Sequence, residues 1–156
     1  MISARVGDLL AQDDITHIAH QVNLYHTFGA GLAAQIARRF PYAEIADNDT
    51  DFANNAKIGT FSIGRGVGLT VINLYTQRSP EDGYAECLTD YNSMRVALRG
   101  VEEYLRDGKD TVRLGLPHGL GCGLAGGSWP KVYGIIKEFF AESPVDVVIV
   151  KLPTEI

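Results

Sequence analysis

Two glycine clusters are the residues of this chain best suited to chemistry. The first is Phe28-Gly29-Ala30-Gly31-Leu32, and the second is Gly119-Leu120-Gly121-Cys122-Gly123-Leu124-Ala125-Gly126-Gly127. Glycine lets neighbouring backbone N–H groups face one concavity and lets an anion approach the main chain, while a helix starting just afterwards adds positive potential. Two such loops suit two phosphates. His20 stands shortly before the first cluster, where it is placed to donate a proton to a leaving oxygen or to polarise a phosphoryl group. The alternative is a histidine hydrogen-bonded within the sheet. His17 lies three positions earlier on the same expected strand and therefore faces the other side, so the two histidines are not a local metal pair. His26 and His118 fall in expected loops and read as solvated. Cys122 lacks the elbow of a nucleophile, because Leu120 and Leu124 stand where that motif needs glycine.

Composition narrows the classes. The chain has 156 residues, 46% hydrophobic and 21% charged, which fits one soluble globular domain over 1–156 and excludes wholesale disorder. Its 17 glycines, about 11% against a usual ~7%, are clustered rather than periodic, so loops account for them. A formal charge of −5 argues against holding nucleic acid by phosphate neutralisation, so an anionic ligand must be held locally. Two cysteines, Cys87 and Cys122, make neither a disulfide framework nor a zinc site. The acidic N-terminus and the lack of about 18 consecutive apolar residues lead to the expectation of a cytoplasmic protein that avoids membranes. Neither a metal nor a cofactor is expected.

The clusters must be positioned by the elements around them. Ile15 to Val22 alternates apolar and polar residues and reads as a strand, and Leu32, Ile36, Ala37 and Phe40 recur at helical spacing up to a stop at Pro41. Asp47 to Lys57 is polar and turn-rich, the pattern of a surface loop carrying no core. Strands are expected near Gly59 to Ile63 and Gly68 to Tyr75. A long amphipathic helix is expected from Tyr84 to Leu105, then a strand from Val112 to Leu116 and a helix from Trp129 to Phe140. Val145 to Leu152 is continuously apolar, as in a strand buried on both faces. Such alternation predicts a three-layer α/β/α sandwich around a mixed, mostly parallel sheet, with ligands beyond the carboxyl ends of the strands.

Nucleotide fingerprints are incomplete. Gly29-x-Gly31-x-x-Ala34 is a variant of the dinucleotide motif, but Asn23 to Phe28 separates it from the strand and the acid expected about 20 residues later falls in the polar loop. The second cluster lacks the Gly-Lys-Ser/Thr ending of a P-loop.

Over nearly its whole length the chain resembles the macrodomains, which bind ADP-ribose in a cleft above an α/β/α sandwich. Val6-Gly7-Asp8-Leu9 is similar to the family's opening strand and its adenine-recognising Asp. Ile18-Ala19-His20 with Phe28 to Leu32 is similar to its first phosphate loop, and Leu116-Pro117 through Leu124 to Trp129 to its second. Asn73-Leu74-Tyr75-Thr76-Gln77 and Gly123-Leu124-Ala125-Gly126-Gly127-x-Trp129 resemble runs in the branch that holds the terminal ADP-ribose protein glycohydrolases. That branch also includes the ADP-ribose 1''-phosphate phosphatases and the phage and bacterial Appr-1-p processing proteins.

The resemblance implies that Asp8 and Leu9 read adenine and that Gly29, Ala30, Gly31, Leu32, Gly119, Leu120, Gly121, Cys122, Gly123 and Leu124 hold the diphosphate, with Gln21 and Pro117 also binding the ligand. It further implies that His20, Asn23, Thr76 and Gln77 surround the distal ribose and that His20 and Asn23 are catalytic; Phe28 reads as a packing residue, with a place at the diphosphate entrance as its alternative. The glycohydrolase lysine and aspartate are matched here by Gln77 and Ala125, which can neither form a Schiff base nor take a proton. The implied partner is therefore ADP-ribose, free or on a macromolecule. The implied activity is hydrolysis of a group from the distal ribose, and the competing reading is a reader without turnover.

Overall fold

The computed structural model describes residues 1–79 and 87–155. Its sheet has six strands: β1 (Ile2–Val6), β2 (His17–Val22), β3 (Phe61–Arg65), β4 (Thr70–Tyr75), β5 (Arg113–Pro117) and β6 (Asp146–Lys151), in spatial order β1-β6-β5-β2-β4-β3. All neighbours are parallel except β3 and β4, which form an antiparallel pair. Helices α1 (Gly31–Arg39) and α2 (Pro41–Asn48) cover one face, and α3 (Tyr91–Arg106) and α4 (Trp129–Phe140) the other. This is the expected three-layer sandwich.

Side-chain alternation divides the core between the layers. Along β6, Val147 and Ile149 pack with Met94, Leu98, Val132 and Ile136 of α3 and α4, whereas Val148 and Val150 pack with Ile18, Val22 and Ile36 on the α1 side. Both faces of that strand are buried, as its continuous apolar run requires. Among the described residues no helix is long and apolar enough to cross a membrane.

Three elements depart from expectation. Pro41 stops α1 and also opens α2 as one of its first residues, where a missing N–H costs nothing because the first turn has no acceptor for it. The polar segment from Asp47 consequently begins inside α2 and does carry core, for Asp47 is fully buried and Lys57 nearly so. Their burial is made tolerable by hydrogen bonds that no local pattern announces. Finally, α3 starts at Tyr91, where Asp90 caps it by accepting from the Ser93 N–H at 3.1 Å. Cys87 and Leu88 precede the helix, in a segment whose Thr89 forms a β-bridge with Gln77; residues 84–86 lie outside the described residues.

The β2–β5 pairing runs only through His17↔Leu114 and Ile18↔Gly115, so the sheet opens between these strands before their carboxyl ends. From β2 the chain crosses outward to β3 at the edge and turns back into β4, whereas from β5 it crosses the other way to β6. That divergence is the topological switch point at which open α/β sheets bind ligands.

Candidate functional site

A cleft of about 650 Å³ lies over this opening, within the usual range for small-molecule sites. Strand order spreads its functional groups along one line. Asp8 follows β1, Pro117 to Ala125 follow β5, His20 to Ala33 surround the end of β2, and Gln77 follows β4. From β1 to β4 is four strand spacings, about 19 Å, which suits an elongated ligand.

The two glycine loops supply donors. Ala30 caps α1 without a side-chain acceptor, and the first intrahelical bond runs from the Ala34 N–H to the Ala30 carbonyl at 3.3 Å. The Gly31, Leu32 and Ala33 N–H groups thus remain available, with the positive end of the helix behind them. Gly31 has φ +58°, and a Cβ added there would meet nothing within 4 Å, as befits a residue facing an open cleft. In the second loop, turns from Leu120 N–H to Pro117 O and from Cys122 N–H to Gly119 O curl the chain. The Gly121, Gly123 and Leu124 N–H groups have no acceptor among the described residues. A strap fixes this loop: the Gln21 amide donates to Thr89 Oγ1 at 3.0 Å, and that hydroxyl donates to the Gly121 carbonyl at 2.6 Å.

Asp8 and His20 mark the two ends. One Asp8 oxygen accepts from the Leu10 N–H at 2.9 Å and the other from Arg39 at 3.0 Å, and these contacts lower its pKa, so it is a carboxylate with lone pairs to spare. His20 is 98% buried (2% exposed), edge-on to Phe28, with Nε2 2.7 Å from Asn73 Oδ1. Burial pushes its pKa down to about 4, so it is neutral at pH 7.

No family model matches the sequence. An uncharacterised 17.5 kDa protein of Enterobacteria phage T4 is 27% identical over 150 residues, covering 92% of each chain. Among solved structures, the macrodomain of Mycobacterium tuberculosis DarG superposes with a TM-score of 0.76 at 23% identity, over 96% of this chain and 97% of that one. Thermosipho africanus DarTG in complex with ADP-ribose gives a TM-score of 0.76 at 19% identity, over 99% of this chain and 42% of the other. The chain has the macrodomain fold.

Within this macrodomain cleft, the residues named from the sequence are placed unequally. His20, Gln21, Asn23, Asp8, Leu9, Gly29 to Leu32, Gln77, Pro117 and the second loop all line it, but Phe28, Thr76 and Cys122 do not. Phe28 is buried against His20, which is the packing role of its two readings rather than the entrance. Thr76 is buried beneath the cleft, donating to Gln21 Oε1 at 2.8 Å. The Cys122 side chain packs on the α3–α4 core, and burial raises its pKa. Asn23 spends its amide on its own loop: Nδ2 donates to Thr27 Oγ1 at 2.7 Å and Thr27 O at 3.3 Å, and Oδ1 accepts from the Tyr25 N–H. That makes it a loop organiser rather than a free catalytic amide.

Sequence reasoning passed over Gln35, Val150 and His118. Gln35 lies one turn beyond Gly31 on α1, and Val150 ends β6 beside β5, so helix period and the carboxyl-end rule were the available signals. His118, read as solvated, lines the cleft with its ring 4.6 Å from that of Trp129. Among the described residues no group of His, Cys, Asp and Glu is arranged to hold a metal.

Proposed function

We propose that this protein binds ADP-ribose, free or attached to a macromolecule. The carrying observation is that one cleft aligns a carboxylate, two loops of unpaired N–H groups and a buried polar end in the order in which that ligand presents adenine, diphosphate and distal ribose. Asp8 and Leu9 take the adenine. Gly31 to Ala33, with Gly121, Gly123 and Leu124, hold the diphosphate, and His20 and Gln77 meet the distal ribose, with Gln21 and Asn23 shaping the walls around it. The ADP-ribose complex named for the Thermosipho africanus protein supports this ligand.

A second reading, hydrolysis of a group from the distal ribose, is favoured by one observation. His20 lines the cleft and its Nδ1 is buried with no hydrogen-bond partner among the described residues. Within the branch this chain resembles, the retained His20 fits the phosphatase type, while Gln77 and Ala125 oppose the glycohydrolase route. Calorimetric titration with ADP-ribose tests the binding reading, which requires saturable 1:1 binding, tighter than that of AMP. Absence of binding at millimolar ligand overturns it. Release of inorganic phosphate from ADP-ribose 1''-phosphate, measured beside it, decides between turnover and reading.

A further inference from the structure

His20 ends a run of buried and partly buried hydrogen bonds whose direction is fixed from the far end. Tyr75 donates its hydroxyl proton to Asp47 Oδ1 at 2.7 Å. The Ser62 hydroxyl, 2.9 Å from the Tyr75 oxygen, must then be the donor in that pair, and it accepts from Asn73 Nδ2 at 3.1 Å. The same Nδ2 donates to the Ala43 carbonyl at 3.0 Å, an atom that can only accept. Two independent constraints therefore turn the Asn73 oxygen toward His20, and the 2.7 Å contact requires an N–H on Nε2.

From this we infer that Asn73 is a positioning residue that locks neutral His20 with its proton on Nε2, leaving Nδ1 as a lone pair that selects a hydroxyl over an anionic phosphate oxygen at the distal end of the cleft. The inference rests on the ADP-ribose reading for the identity of the ligand, but not for the tautomer. Several observations agree with it. Nδ1 is shielded from solvent and has no hydrogen-bond partner among the described residues, while the His20 side chain lines the cleft that lies where β2 and β5 have separated. The groups facing the ring are Asn73 from β4, Phe28 from the loop and, acting through Asn73, the Ala43 carbonyl of α2. None carries charge. Tyr75 and Asp47 are the nearest titratable members of the run, reached only through Ser62. A lone pair in such surroundings attracts a donor and repels the oxygens of a phosphate monoester.

Nitrogen-15 NMR of the ligand-free wild-type protein at pH 7 tests the lock. A proton on Nε2 and an unprotonated Nδ1 are expected; a proton on Nδ1 overturns the inference whatever the ligand is. Selection is tested by titrating ADP-ribose and ADP-ribose 1''-phosphate. Wild type should prefer ADP-ribose about tenfold or more, and equal or tighter binding of the phosphate ester overturns the selectivity. Asn73→Asp sets a carboxylate beside Nε2, so the ring should hold both protons near neutrality and Nδ1–H should become a donor. The preference should then move at least tenfold toward the phosphate ester and weaken again as pH rises; an unchanged ratio with a doubly protonated ring overturns the proposal. If this variant does not fold, the wild-type spectrum and ratio still decide. Failure of wild type to bind either ligand would count against the ADP-ribose reading, while the NMR result would stand separately.

Discussion

Among single residues, His20 has the clearest energetic signature. Burial holds its folded-state pKa near 4, while an exposed imidazole titrates near ~6.5. Between those values the unfolded chain takes up a proton that the folded one refuses. Its contribution is therefore fully present above about pH 6.5 and is lost as pH falls toward 4, by about 3 kcal/mol in all. Urea denaturation at pH 7 and at pH 4.5 should show that loss, and His20→Asn should flatten the difference. A slope unchanged in the variant would assign it to another group. The same residue shows why type and position were not enough to define a role. Residue type left two roles open, a proton donor at a phosphate cleft or a histidine hydrogen-bonded within the sheet, and the 2.7 Å contact with Asn73 on the neighbouring strand meets the second.

At the scale of elements, the glycine loops make separable predictions. Gly123 does not have a positive φ, and a Cβ there meets nothing within 4 Å, so Gly123→Val should leave stability within about 1 kcal/mol while weakening ADP-ribose binding at least tenfold. Gly31→Val intrudes on the same cleft and also strains a residue at φ +58°, which costs about 1–3 kcal/mol. Gly121 differs again. Its added Cβ would lie 3.0 Å from Thr89 Oγ1 and 3.1 Å from Gln21 Oε1, so Gly121→Val disturbs the strap rather than blocking the ligand directly. Loss of both binding and stability is expected there, and paired calorimetry and chemical denaturation would separate the three cases. Wild-type affinity in Gly123→Val would mean that the diphosphate lies elsewhere.

For the whole molecule, a ligand spanning four strands should couple to global unfolding. At about 100 times its dissociation constant ADP-ribose should add ~2.7 kcal/mol, raising Tm by about 5–10 °C for a chain of this size, with AMP giving a smaller shift. The polar run behind His20 carries a second global prediction. Asp47 joins α2 to β4 through Tyr75, and Lys57 reaches the same cluster through Thr50 at 2.8 Å, with its ammonium 4.6 Å from the Tyr75 ring centre. Asp47→Ala removes the acceptor that ends the run and leaves the buried Tyr75 hydroxyl without it, so a loss of about 1–3 kcal/mol is expected in denaturant unfolding. A loss below about 1 kcal/mol would show that the run is not a structural tie.

Local pattern was sufficient for much of this protein. Period-two alternation in β2, the continuous apolar run of β6 and the helical spacing of α4 each depend on which face a residue must bury, so the layers and the loops at the strand ends were legible from sequence. What local pattern does not contain is contact across distance. Asp47 and Lys57 read as solvent-facing because their partners are remote in sequence: Tyr75 lies 28 positions from Asp47, and Leu24, whose carbonyl is 3.5 Å from Lys57 Nζ, lies 33 away. The Cys87–Leu88 stretch continued the apolar spacing of α3, but the Asp90 cap and the Gln77–Thr89 bridge ended the helix before it. The protonation of His20 was likewise decided by tertiary structure, because a tautomer is set by whichever donor or acceptor folding brings to the ring, and Asn73 is 53 residues away.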